Sequence, residues 1–120
     1  MPKLLIIDDE LDIREFAKNF FRKREIDVAT SDGSDALAVF EEFLPDLILL
    51  DIRLGETTGI DVLQGIRERS PDVPVIMVSG VTDEGVVGKV KQLGILGYIH
   101  KPLVLDELEK VVLGQLRRVE

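Results

Sequence analysis

A chain of 120 residues is the length of one domain, which excludes a two-domain protein or a catalytic barrel. Apolar residues at 45% and charged residues at 32%, with 10 Gly and 5 Pro, describe a globule that buries a core, and exclude disorder and fibrous repeats. Fifteen basic against 23 acidic side chains leave a charge of −8, which argues against a nonspecific grip on nucleic acid or anionic lipid, while zero cysteines and one histidine leave only oxygen ligands for a metal.

The first apolar run, Lys3 to Ile7, reads as a strand and is too short for a signal peptide or a membrane span, so the expected compartment is the cytoplasm. Ile13, Phe16, Ala17, Phe20 and Phe21 then recur at helical spacing and predict a first helix with these side chains in the core. Asp27 to Ala29 predicts a second strand, and Ala36, Leu37, Phe40 and Phe43 a second helix, its phenylalanines again assigned to the core. Asp46 to Leu50 follows as the most apolar strand, then a helix carrying Val62, Leu63 and Ile66. Val75 to Val78 is the fourth strand, and Val86, Val90 and Leu93 mark a fourth helix. That helix contains Gly85 and Gly88, each costing about 1 kcal/mol relative to alanine, and is expected to be the most mobile. Tyr98 and Ile99 form the last strand, and Leu105, Leu108, Val112, Leu116 and Val119 the last helix.

Strands without polar interruption are covered on both faces, and their alternation with helices predicts one doubly wound α/β domain over residues 1–120, a parallel sheet with helices on both faces. In such sheets the functional crevice lies at the carboxyl ends of the strands. There the sequence places Asp8-Asp9 after strand one, Asp51 after strand three, Ser79-Gly80 after strand four, and Tyr98 with His100-Lys101-Pro102 at strand five. Three carboxylates brought together repel one another unless a cation offsets them, and hard oxygen donors suit magnesium or manganese, whose shell a phosphoryl group completes.

These residues, together with Gly59 eight positions after Asp51, resemble a response-regulator receiver domain, and the resemblance runs from Lys3 to Val119. It implies a flavodoxin-like (βα)5 sandwich with strand order 2-1-3-4-5. It also implies that Asp51 accepts a phosphoryl group from a histidine kinase or a histidine phosphotransfer protein. Asp9, Asp51 and the backbone carbonyl of Arg53 would ligate Mg2+, with Asp8 acting through a metal-bound water. Lys101 would bridge Asp51 and the phosphoryl oxygens; Ser79 would turn its hydroxyl onto the phosphoryl group, and Tyr98 would move into the space released. The fourth helix, fifth strand and fifth helix would then change as a surface for an output domain, a partner or a homodimer. On this reading the chain is a switch that catalyses only its own phosphorylation and dephosphorylation, without binding nucleic acid or membrane directly.

Two positions depart from the family pattern. Gly55 stands where proline is usual and is expected to loosen the loop after Asp51; Gly80 replaces the commoner alanine and leaves room for the phosphoryl group. Arg53, with Glu56 nearby, is expected to screen the acyl phosphate or contact the donor. Simpler readings stand beside these: Asp8-Asp9 as a helix cap, Ser79 as a turn residue, Tyr98 as a half-buried strand aromatic, Lys101 as a surface lysine, His100 as an ordinary strand end.

Other functions remain to be weighed. A phosphorylation-incompetent receiver serving as a dimerisation scaffold has the same sequence features. A haloacid-dehalogenase-like phosphohydrolase needs a DxD pair, where this chain has Asp51-Ile52-Arg53. A flavodoxin-type FMN module needs a glycine- and hydroxyl-rich phosphate loop, where Asp8-Asp9-Glu10 would repel the phosphate. The last helical stripe ends at the chain end, and a domain excised from a longer regulator is favoured slightly over a single-domain regulator. The cognate kinase and the output are not legible.

Overall fold

The computed structural model describes residues 1–80 and 84–117. Strands β1 (Lys3–Ile7), β2 (Asp27–Ser31), β3 (Leu47–Asp51), β6 (Val75–Ser79) and β7 (Gly97–His100) form one parallel sheet in the order β2-β1-β3-β6-β7. This is the expected 2-1-3-4-5 order, with the sheet's fourth and fifth strands numbered β6 and β7 because a two-stranded hairpin intervenes. That hairpin pairs β4 (Arg53–Leu54) with β5 (Thr57–Thr58) in antiparallel fashion.

Helices α1 (Leu11–Arg22), α2 (Ala36–Phe43), α3 (Gly59–Arg69), α4 (Glu84–Leu93) and α5 (Leu105–Leu116) connect the strands. The continuous apolar runs of the strands resolve into two alternating faces. Leu4, Ile6, Leu47, Leu49, Ile76 and Val78 point to one side, under Phe21 of α1 and Leu108 and Val112 of α5. Leu5, Ile7, Ile48, Leu50, Val75 and Met77 point to the other, under Phe40, Leu63 and Val90 of α2, α3 and α4. Period-two alternation with both faces covered is why no polar residue interrupts these strands.

Parallel registry brings the functional ends together. Ile7 lies opposite Leu50, Asp51 opposite Val78 and Ser79 opposite His100, so residues that follow these strands share one edge.

Two expectations are corrected. Phe16 is not core: it is 57% exposed, because the five-residue stripe of α1 is wider than the sheet and α5 can cover, and only Ala17 and Phe21 of it are fully buried. Gly55, where the family usually has proline, adopts φ +67, a conformation closed to proline and costly for other L-residues, and begins the two-residue turn between β4 and β5. The second strand runs on through Thr30 and Ser31, polar residues that the apolar pattern passed over. Of the last helical stripe, Val119 lies outside the described residues. Among the described residues no helix is long and apolar enough to cross a membrane.

Candidate functional site

The site is assembled from backbone upward. Asp51 is the final residue of β3, and α3 starts only eight residues later, so the chain must turn back sharply against the strand end. Gly59 makes this possible: its N–H donates to the Ile52 carbonyl at 2.6 Å, and a Cβ there would overlap the Asp51 carbonyl oxygen and Ile52 Cα. Thr58 caps the helix, its Oγ1 accepting from the Asp61 N–H at 3.2 Å. On the opposite flank the Lys101 N–H donates to the Ser79 carbonyl at 2.9 Å, which extends the β6–β7 pairing by one residue and aims the Lys101 side chain along the sheet edge. The Lys101–Pro102 peptide bond is cis.

Asp8 and Asp51 are each 4% exposed. Lys101 Nζ lies between them, donating to Asp51 Oδ2 at 2.8 Å and to Asp8 Oδ2 at 3.4 Å, with Glu10 Oε1 at 3.5 Å. The other oxygens are held by backbone: Asp8 Oδ1 accepts from the Glu10 N–H at 2.8 Å and Asp51 Oδ1 from the Arg53 N–H at 3.2 Å. Asp9 is exposed, and one carboxylate oxygen each from Asp8, Asp9 and Glu10 fall within 4.8 Å of one another.

One ammonium does not offset this many acids. Burial pushes the Asp8 carboxyl up to about 6; the Glu10 N–H opposes the rise, the neighbouring Asp51 charge adds to it, and Lys101 offsets only part. At Lys101, burial pulls the ammonium down but is outweighed by the Asp51 hydrogen bond and the charges of Asp8, Asp51 and Glu10, which raise it to about 12. Lys101 is therefore a fixed cation at any physiological pH, and Asp8 is a carboxylate short of positive charge.

Ser79 is buried at the end of β6, and among the described residues an added Cβ at Gly80 would meet no atom within 4 Å. Tyr98 is half-buried against the core on the α2–α3–α4 side of the sheet, its ring 4.9 Å from that of the exposed His100 and tilted by 57°. Arg53 is exposed on the hairpin.

Two features escaped the sequence reading. Glu10 was visible only as the third acid of a run, and its reach to Lys101 depends on the turn into α1. A groove of about 810 Å³ opens between α1 and the loop after β7, lined by Ile13, Phe16, Phe20, Lys101, Pro102 and Leu103. Phe20, one of the groove's lining residues, carries Arg24 stacked 3.6 Å over its ring, and Arg24 pairs with Glu109 of α5 at 3.1 Å. The exposure of Phe16 is the signal that locates this groove.

With this geometry in view, residues 4–113 match the family model described as the response regulator receiver domain. The chain belongs to that family. The receiver is 34% identical over 116 residues to the chemotaxis protein CheY of Listeria monocytogenes, covering 92% of this chain and 98% of that one. It is 36% identical over 119 residues to the probable transcriptional regulator ycf27 of Porphyridium aerugineum, covering 98% of this chain and 49% of that protein. The receiver thus spans about half the length of the ycf27 relatives it matches. Among solved structures, the Vibrio cholerae chemotaxis protein CheY4 superposes with a TM-score of 0.88 at 27% identity, over 97% of this chain and 99% of that one. Phosphorylation-dependent switching is the general function of the family.

Proposed function

We propose that this receiver, residues 1–120 taken as one domain, accepts a phosphoryl group on Asp51 from the phosphohistidine of a kinase or phosphotransfer protein. The observation that carries the reading is the 2.8 Å contact between Lys101 Nζ and Asp51 Oδ2 in an otherwise acidic, buried pocket. A carboxylate oxygen of Asp51 attacks phosphorus, the P–N bond breaks, and the electron pair leaves with the imidazole; no proton has to be removed from the nucleophile. Lys101 neutralises charge on the equatorial phosphoryl oxygens, the contribution that phosphoryl transfer needs most.

The donor set fits a hard divalent cation: carboxylate and carbonyl oxygens with no sulfur or imidazole among them, one of the carboxylates held electrostatically unsatisfied. Asp9, Asp51 and the Arg53 carbonyl would hold Mg2+ or Mn2+, with Asp8 acting through a bound water and Glu10 adding negative charge at the rim. Such a cation supplies charge neutralisation on the transferring group.

Ser79 and Tyr98 carry the switch in this reading. Ser79 offers its hydroxyl to a phosphoryl oxygen, and Tyr98 follows into the vacated space, changing the surface formed by α4, β7 and α5 for an output segment, a partner or a second copy. The groove beside α1 receives the donor protein, because it shares Lys101 with the acidic pocket and presents Phe16 as an apolar anchor. The chain then works in the cytoplasm, where its donor is charged, and turns over no external metabolite beyond that donor.

Mass spectrometry after incubation with acetyl phosphate tests the reading. One phosphoryl mass is expected on the wild type with Mg2+, and none with a chelator or in Asp51→Asn. Sustained hydrolysis of a generic phosphoester would instead indicate a phosphohydrolase, and Mg2+ binding without any adduct would indicate a scaffold.

A further inference from the structure

Arg14, the fourth residue of α1, has no part in the roles assigned above, yet it grips the acidic loop at two points. Its Nη1 donates to the Asp8 carbonyl at 2.6 Å, and its backbone N–H donates to the Glu10 carbonyl at 3.1 Å. Two further backbone groups of the loop are also committed: the Asp8 N–H to the Ser31 carbonyl at 3.0 Å, and the Glu10 N–H to Asp8 Oδ1 at 2.8 Å. Of these four anchors, the Arg14 guanidinium is the only one contributed by a side chain outside the loop. A charge-assisted bond of this length to one carbonyl restrains the planar Asp8–Asp9 peptide unit, from whose two ends both side chains leave the backbone.

We propose that Arg14 is a positioning residue for the cation site: by pinning the Asp8 carbonyl, its guanidinium holds the carboxylates of Asp8 and Asp9 in the arrangement that takes a divalent cation. This inference rests on the reading that those acids bind Mg2+. It also makes a prediction of unusual sign. Arg14 carries a positive charge, and removing a like charge near a cation site tightens binding if electrostatics alone act. Loss of the peptide anchor works in the opposite direction, as for other outer partners that orient metal ligands. Lysine preserves the charge but offers a single mobile ammonium in place of the planar fork, so it does not restore the anchor.

The test uses MgCl2 alone with the wild type, Arg14→Lys and Arg14→Ala, each confirmed folded by its melting transition. Calorimetric titration is expected to show Mg2+ affinity about tenfold weaker in both variants. In the metal-free state, hydrogen exchange at the Glu10 amide is expected to be faster in both, because its acceptor Asp8 Oδ1 is no longer held. Equal or tighter Mg2+ binding in both variants, with Glu10 exchange as in the wild type, would overturn the role of Arg14. Absence of Mg2+ binding in the wild type would remove the cation reading and this inference with it, and is told apart from failure of Arg14 alone by the wild-type titration.

Discussion

The two edges of the sheet handle charge in opposite ways. At the edge where the strands begin, Arg67 of α3 spends its guanidinium on four backbone carbonyls: Ser70, Val73, Leu93 and Gly94, at 2.7 to 3.1 Å. Lys3 is similarly placed, its N–H on Asp46 Oδ2 at 2.8 Å and its Nζ on the Phe43 carbonyl at 3.3 Å. The Arg67 bonds tie α3 to the loop that follows it and to the end of α4. At the edge where the strands finish, Asp8, Glu10 and Asp51 crowd one ammonium, with Asp9 beside them. One edge spends its cations on backbone carbonyls and serves the fold; the other is left in deficit, and that deficit is what a cation and a phosphoryl group can exploit.

Substitutions at the two edges should therefore have opposite signs. The largest effect is expected at the edge held by Arg67. Arg67→Ala strands the partly buried carbonyls of Ser70, Val73 and Leu93 at about 1 kcal/mol each, and should lower unfolding stability by about 2–3 kcal/mol by denaturant titration. The same loss should appear with and without Mg2+, because this edge is remote from the acids.

At the deficient edge the expected change is a gain. The folded chain holds the Asp8 proton more tightly than an unfolded chain whose carboxyl has the ordinary value of 3.8. Asp8 therefore contributes stability that is complete below about pH 3.8 and is lost as pH rises through about 6. Asp8→Asn should raise the stability of the metal-free protein near neutral pH by on the order of 1–3 kcal/mol, the gain shrinking as the solution is acidified. It should also weaken the stabilisation by Mg2+, which reaches about 2.7 kcal/mol for a ligand at a hundredfold excess over its Kd. Melting curves across pH, with and without MgCl2, check both signs; a loss of stability at neutral pH in Asp8→Asn would break the contrast between the edges.

The smallest stability effect is expected in the groove. Phe16→Ala, at an exposed position, should leave stability within about 0.5 kcal/mol and leave phosphorylation by acetyl phosphate unchanged. Transfer from a phosphohistidine protein should slow by about tenfold if Phe16 is an anchor for the donor. Equal slowing with both donors would place Phe16 in the fold and not in recognition.

Much of the fold is legible in the sequence because long apolar strands and helical stripes are repeated signals. β1 begins and ends where its run of apolar residues does, and Asp51 closes β3. What escapes is what periodicity cannot encode. The β4–β5 hairpin has two residues per strand, too short for any alternation, and only φ +67 at Gly55 reveals that glycine there builds a turn. Phe16 fits the α1 stripe as well as Phe20 does, and its exposure depends on the width of the face that α5 leaves uncovered. The convergence of Asp8, Asp51 and Lys101 follows from strand order and registry. The bond from Arg14 to the Asp8 carbonyl does not, because it joins a side chain to backbone across a turn whose shape the sequence does not specify.

The central claim is that Asp51 is the residue modified, and borohydride trapping tests it most directly. Reduction of an aspartyl phosphate converts the residue to homoserine, so protein treated with acetyl phosphate and Mg2+, reduced and digested should yield a peptide with homoserine at position 51. Homoserine at position 8 or 9, a phosphoryl group stable on Ser79, or no reduced residue at all would contradict the account.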